Sequence, residues 1–322
     1  MSKKVLVTGG TGFIGRGVVK GLLQKGHKVQ VLDNDSRGSV SQLGNLLDDI
    51  EIINADVRDN SAIEKVTRDK DIVVHLAYIN GTEYFYSKPY EILDVGIRGM
   101  LNLLESHKKN KYGRLLLAST SEVYQTPLIV PTSESVALIV PDVLNPRFSY
   151  GGGKIASELL LANYSFENGL DYKIFRPHNI YGPNMGYEHV IPQLIRKIIA
   201  GVRTNGGRKI EIEIQGDGNQ TRAFCHIEDF VKGFMLILDD NSQNRIFHIG
   251  KNQETSIKEL LSLIAKEMQV DIEIKNGPIL KGSTERRCPD ISLLESMGYS
   301  PEISLEEGLK DTVNWYARHY KV

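Results

Sequence analysis

Cysteine is nearly missing from this chain, whose 322 residues include Cys225 and Cys288 and no others. Two isolated thiols supply neither a disulfide framework nor the ligand spacing of a metal site, so both are expected to be reduced and structural. An excess of charge of one sign is missing too. The chain carries 39 Lys and Arg against 40 Asp and Glu, a formal net charge of −1, which leaves no electrostatic footprint for nucleic acid. No apolar run reaches membrane-spanning length and no secretory leader is legible, so a cytoplasmic protein with no membrane partner is expected. Internal repeats and low-complexity tracts are also lacking. What is present, at 41% hydrophobic residues, is enough for a full core plus a smaller second region.

The first feature with chemical content is Gly9-Gly10-Thr11-Gly12-Phe13-Ile14-Gly15, which follows the apolar run Lys3 to Thr8 and opens a helical pattern through Val18, Val19, Leu22 and Leu23. Strand, glycine turn and helix form the fingerprint of a dinucleotide site. Gly9 permits the tight turn, Gly12 lets a pyrophosphate approach the backbone, and Gly15 allows close packing of helix on strand. A second strand, Lys28 to Leu32, ends in Asp33, about 20 residues past the triad, where a carboxylate meets the adenosine ribose hydroxyls. The same carboxylate repels a ribose 2′-phosphate, so NAD is favoured over NADP. Arg37 lies close enough in sequence to serve a 2′-phosphate, but reads better as a solvated loop cation.

Strand-like runs at 4–8, 28–33, 51–55, 71–76, 112–119 and 171–175 alternate with helical patterns near 12–25, 88–107 and 150–167. This predicts an α/β fold with a doubly wound parallel (Rossmann) sheet. Pro127, Pro131, Pro141 and Pro146 mark 126–147 as a long surface loop. Beyond 177 the pattern becomes irregular. We therefore divide the chain into 1–176, mainly the NAD-binding domain with the catalytic residues, and 177–322, mainly a smaller α/β substrate-binding region.

Two further segments supply a proton relay. Ser119-Thr120-Ser121-Glu122 ends the fifth strand, and Tyr150-Gly-Gly-Gly-Lys154 opens a helix. Residues four apart share a helix face, so the Lys154 ammonium can sit near Tyr150 and favour its phenolate, which accepts a proton from an alcohol near neutral pH. Three consecutive glycines each cost about 1 kcal/mol against alanine in a helix interior. Their presence points to a close approach of another backbone or a ligand. Glu188-His189 has no metal-ligand spacing, and no metal is expected. His178, His226 and Asp229 are not candidates for catalysis.

With the glycine triad, Asp33, Ser119-Thr120, Tyr150 and Lys154 in this order, the chain resembles the extended short-chain dehydrogenase/reductases that modify nucleotide-linked sugars. Asp56-Val57, His75-Leu76-Ala77, Arg176-Pro177-His178-Asn179-Ile180-Tyr181-Gly182-Pro183, Gly216-Asp217-Gly218-Asn219-Gln220-Thr221-Arg222 and Arg286-Arg287-Cys288-Pro289-Asp290 extend the match nearly end to end. The resemblance implies that Phe13, Ile14, Asn34, Asp56, Val57, Leu76, Ala77 and Pro177 border NAD, that Lys154 also bonds the nicotinamide ribose, and that helices near 88–107 and 150–167 pair in a homodimer. It implies a nucleotide-diphospho-sugar substrate whose diphosphate is held by Asn179, Arg222 and one of Arg286 or Arg287, with Arg286 taken as the site residue. Guanidinium forks suit phosphate oxygens.

The chemistry implied begins with oxidation at sugar C4, with Tyr150 taking the hydroxyl proton, Thr120 bonding the same oxygen and hydride passing to NAD. The 4-keto sugar then re-accepts hydride on its other face, loses water across C5 and C6, or loses a C5 carboxylate as carbon dioxide. Glu122 bears on this choice. Related dehydratases and decarboxylases carry an acid/base glutamate there and simple 4-epimerases usually do not, so 4,6-dehydration or C5 decarboxylation is expected ahead of 4-epimerisation. A non-catalytic NAD-binding module is the reading from another class, and intact Thr120, Tyr150 and Lys154 speak against it. Two departures from the family pattern lie near the site wall: Gln125 stands where a glycine is usual, and Gly96 where an asparagine is usual.

Overall fold

The computed structural model describes residues 2–320 apart from 208, 279–281 and 283. Arg208 lies outside the described residues. The chain opens with β1 (Lys4–Thr8), α1 (Phe13–Gln24), β2 (Lys28–Asp33), β3 (Ile50–Asn54), α2 (Asn60–Val66) and β4 (Ile72–His75). It continues with α3 (Thr82–Ser87), α4 (Pro89–Asn110), β5 (Arg114–Ala118), α5 (Ser149–Asn168) and β6 (Asp171–Pro177). The sheet has seven strands in the order Arg245–Ile249, β6, β5, β4, β1, β2, β3, all paired in parallel.

Parallel strands buried on both faces read as continuous apolar runs, and Val5, Leu6 and Val7 of β1 are all fully buried. On one face α1 sets Val18, Val19 and Leu22 against the sheet, while its Gly17 and Gly21 receive Val231 and Met235 of the Ile227–Asp239 helix. α4 and α5 cover the other face, around Leu103, Leu115, Leu117 and Leu161. Strand order reverses between β1 and β4, which opens a crevice at their carboxyl ends. Every residue that the sequence marks as catalytic sits on segments leaving the sheet on that side.

The smaller region has its own core. The Lys209–Gln215 strand, which alternates exposed and buried residues, pairs in parallel with Asp271–Gly277 and packs Ile210, Ile212 and Ile214 against the Val190–Asn205 and Ile257–Glu267 helices. This region is not contiguous in the chain. Arg245–Ile249 returns to pair with β6, and Ile227–Asp239 packs on α1, so residues beyond 177 complete the main sheet as well.

The stretch 126–147 contains no extended strand and no helix before the short 3-10 turn that opens at Pro146, as its prolines predict, but it is fastened across the molecule. The Thr132 N–H donates to the Cys288 carbonyl at 2.9 Å, and the Thr132 carbonyl accepts from the Asp290 N–H at 2.8 Å. Among the described residues, no helix is long and apolar enough to cross a membrane, and no three metal-ligating side chains come together.

The tightest backbone approach is at the glycine turn. A Cβ on Gly15 would lie 2.1 Å from the Gly9 carbonyl oxygen and 2.7 Å from the Gly10 Cα, both backbone atoms that cannot rotate away. Gly15→Ala is expected to lower stability by about 1–3 kcal/mol, read by urea unfolding, because it overpacks this turn.

Candidate active site

At the N-terminal half of the crevice, Gly9 takes the left-handed conformation with φ of +77°, and α1 starts at Phe13 with no side-chain cap on its first N–H groups. The space beside Gly12 is open, since a Cβ there would find the Gly9 oxygen at 3.4 Å and nothing nearer. Free N–H groups, a helix N-terminus and a bare glycine surface fit a pyrophosphate. Asp33, at the end of β2, accepts the Thr11 N–H at 2.9 Å and the Asp35 N–H at 3.0 Å, which fixes its carboxylate and leaves each oxygen a lone pair for a ribose hydroxyl. Asn34 donates to Asp56 at 3.0 Å, and Asp56 also holds Arg58. Val57 is buried beneath α4 at Gly99, where a Cβ would come within 2.9 Å of it. Ala77 closes the turn, with its nitrogen 2.6 Å from the place of a Gly9 Cβ. These residues could hold NAD. Arg37 is not a solvated cation: it pairs with Glu188 at 3.1 Å and lies 4.7 Å from the Tyr84 ring centre, because the Glu188 loop folds over it.

Tyr150 and Lys154 both lie on α5, whose first turns remain helical through all three glycines, and both are buried. The close approaches implied by those glycines are present. A Cβ on Gly151 would lie 2.6 Å from Gln125 Nε2 and 2.9 Å from the Glu122 carbonyl oxygen, and one on Gly153 would lie 2.2 Å from the Tyr78 hydroxyl. Gln125, at φ +51°, donates from Nε2 to the Glu122 carbonyl at 2.5 Å, so this residue and Gly151 fit one another. The expected Lys154–Tyr150 partnership takes a different form. Lys154 Nζ donates to the Ala118 carbonyl at 2.6 Å and lies over the Tyr78 ring, 4.0 Å from its centre. Tyr150 stacks on Phe85, with ring centres 5.1 Å apart, and meets Tyr78 edge-on. Burial pushes the phenol well above its ordinary pKa, against a hydrogen bond from Thr120, and the Glu122 charge adds to the rise. Burial also drives Lys154 down to about 7, opposed by Glu158. The apolar cage thus penalises phenolate and ammonium alike.

Thr120 caps the short helix that follows β5 and accepts the Glu122 N–H at 3.2 Å. Glu122 stands between two guanidiniums, with Arg287 on one oxygen at 2.5 Å and Arg147 on the other at 3.0 Å. Burial alone would raise its pKa, but Arg287 and Arg147, with the Arg287 hydrogen bond and Arg222 beyond, reverse that and hold it at about 2. Arg222 is itself lowered to about 10, first by burial and then by Arg287. It reaches the Thr284 carbonyl at 2.8 Å, and Asn179 donates to the Ala223 carbonyl at 3.2 Å.

Glu122, Arg147, Asn179, Arg222 and Arg287 line one cavity of about 500 Å³ between the sheet and the smaller region. Arg286 does not reach it. This residue points outward to Glu254 at 2.6 Å, while Arg287 turns inward, because successive residues of a strand face opposite sides. Arg147 escaped the sequence reading, although a cation one helical turn before Tyr150 is a usable signal. His178 is fully buried with neither ring nitrogen bonded, and edges against His248 at 4.7 Å.

A family model described as the NAD dependent epimerase/dehydratase family matches residues 5–250. The chain belongs to the NAD-dependent epimerase/dehydratase family. NAD is therefore its cofactor. The chain is 33% identical to a UDP-N-acetyl-alpha-D-glucosaminuronate decarboxylase of Bacillus cytotoxicus, over 98% of both chains. In structure it is similar to a UDP-glucose 4-epimerase of Thermotoga maritima with UDP-glucose, with a TM-score of 0.86, 28% identity and coverage of 98% of this chain and 99% of the other. It is equally similar to DesIV, the dTDP-glucose 4,6-dehydratase of Streptomyces venezuelae solved with NAD, with a TM-score of 0.86, 27% identity and coverage of 98% and 97%. Decarboxylase, epimerase and dehydratase all occur within this family, so the choice among them rests on the cavity.

The burial of Lys154 has a pH signature in the protein alone. Its folded pKa near 7 lies below the ordinary lysine value of 10.5, so between those pH values the unfolded chain binds more protons and stability rises with pH. Lys154→Met is expected to be more stable than the parent below pH 7. That advantage narrows as pH rises from about 7 toward 10.5, as measured by urea unfolding across the range.

Proposed function

We propose that this protein decarboxylates a nucleoside-diphospho-hexuronate at C5 through a 4-keto intermediate. The observation that carries the reading is Glu122 clamped between Arg147 and Arg287, with Arg222 close by: three guanidiniums face one carboxylate in one cavity. Such an excess of positive charge suits a substrate bearing both a diphosphate and a sugar carboxylate.

Tyr150 takes the C4 hydroxyl proton while Thr120 bonds the same oxygen. Bound NAD would supply the hydride acceptor for C4, and its positive charge would offset part of the cost of burying a phenolate. With a ketone at C4, the C6 carboxylate is that of a β-keto acid. The C5–C6 bond breaks, its electron pair enters a C4–C5 enolate, and carbon dioxide leaves. The enolate takes up one proton from solvent at C5, and Tyr150 returns its proton to the C4 oxygen as the carbonyl is reduced again.

Dehydration across C5 and C6 would instead need an acid to protonate the departing hydroxyl, a task for which a carboxylate held at about pKa 2 is unsuited. Loss of carbon dioxide needs no such donor. The similarity to the Bacillus cytotoxicus decarboxylase supports the same reading.

The α4 and α5 faces also support a homodimer, since Tyr90, Leu101, Leu159 and Phe166 on these helices are exposed apolar residues. Buried, unpaired Cys225 and Cys288 agree with a reducing, cytoplasmic compartment.

Incubation with NAD and a panel of UDP-glucuronate, UDP-N-acetylglucosaminuronate, UDP-glucose and dTDP-glucose should yield a product lighter by carbon dioxide from a uronate, as read by mass spectrometry. Loss of water, or unchanged mass with altered stereochemistry, would assign dehydration or epimerisation instead. Tyr150→Phe is expected to lose at least about 10²-fold in turnover. Arg147→Ala should reduce kcat/KM for the uronate by about 10²-fold, because it leaves Glu122 and the substrate carboxylate short of a partner.

A further inference from the structure

We propose that Tyr78 is a positioning residue for Lys154, and that Gly96 and Gly153 exist to make room for it. The inference rests on the reading that Tyr150 and Lys154 carry the proton transfer. Tyr78 follows the His75-Leu76-Ala77 turn at the end of β4, where its side chain enters the site between α4 and α5.

Three observations converge on it. First, the ring is wedged into space that any other pair of residues would fill. A Cβ on Gly96 would lie 2.2 Å from Tyr78 Cε2 and 2.3 Å from its hydroxyl oxygen, and a Cβ on Gly153 would lie 2.2 Å from the same oxygen. The unusual glycine on α4 and one of the three glycines on α5 therefore share a single explanation. Each gives up helix stability, and together they admit one aromatic side chain.

Second, the face of that ring is turned to the Lys154 ammonium, 4.0 Å from the ring centre, well inside cation–π range. Lys154 is 2% exposed, and among the described residues its ammonium gives one hydrogen bond, to the Ala118 carbonyl. A buried cation with one neutral acceptor gains most from a desolvated π face. Third, the Tyr78 hydroxyl is buried without a partner, so it is the ring and not the hydroxyl that the site uses. The same ring meets Tyr150 edge-on at 5.3 Å, so one side chain sets the distance between the phenol and the ammonium.

The test compares Tyr78→Phe, Tyr78→Leu and Gly96→Asn, the last displacing the ring without deleting it. Lys154 is titrated directly by NMR of the protein labelled at lysine Cε, with Lys154→Met assigning the signal, and kcat is followed against pH. Tyr78→Phe is expected to match the parent in both readouts. Tyr78→Leu should lower the Lys154 pKa by about one unit, narrow the pH profile of kcat from its alkaline side and reduce kcat about 10-fold, with KM for substrate within about two-fold. Gly96→Asn should reproduce the shift, and decides the matter if Tyr78→Leu does not fold. An unchanged Lys154 titration in the folded ring-removing or ring-displacing variant overturns the proposal. Because that titration needs neither substrate nor turnover, it stands apart from the assignment of the reaction, which fails separately if Tyr150→Phe keeps full activity.

Discussion

The desolvation of one ammonium organises the centre of this molecule. Lys154 is held on a helix that presses its first turn against the carboxyl end of the sheet, and burial there would expel a lone cation. It is retained by the Ala118 carbonyl at the end of β5 and by the Tyr78 face at the end of β4. Two strands on one side of the switch point and two helices above them are thereby brought to one spot. The glycines at 96, 151 and 153 follow from that constraint, since each lets a neighbour approach nearer than a side chain would permit.

A second polar cluster has the opposite sign of problem. Glu122 is a partly buried anion in excess cation, tied to Arg147 from the helix entry and to Arg287 from the far region. Removing the carboxylate would leave guanidiniums crowded together without a counter-charge, which is costlier than never having made the pairs. The lysine centre and the glutamate centre are joined through Thr120, which bonds the Tyr150 phenol and caps the turn that carries Glu122. Oxidation at one carbon and bond breaking at its neighbour can thus be served from one short segment.

Much of this is written locally in the chain. Six of the seven strands of the main sheet and the three helices read with them stand within two or three residues of their positions as read from apolar runs, glycines and periodicity, because buried parallel strands and amphipathic helices leave patterns in consecutive residues. The glycine loop, Asp33, Tyr150 and Lys154 are legible for the same reason. What escapes is long-range. Nothing near Glu122 in sequence announces Arg287, 165 residues away, and the choice between Arg286 and Arg287 turns on which face of a two-residue strand each occupies. Tyr78 is harder still. Its meaning lies in side chains that are missing elsewhere, so Gly96 is visible as an oddity but its purpose is not.

The strap formed by residues 126–147 ties distant parts of the chain together. Thr132 is bonded on both sides to the segment that carries Arg287, and Glu134 takes the His248 N–H at 2.9 Å, so the two halves of the molecule are laced together on the side where a hinge would have to gape. Opening by domain rotation would break these bonds and the Glu122–Arg287 pair at once. At another part of the cavity wall, α3 and the 185–189 loop are joined through Arg37, which lies on Tyr84 and pairs with Glu188, so one side chain ties two lining segments to each other.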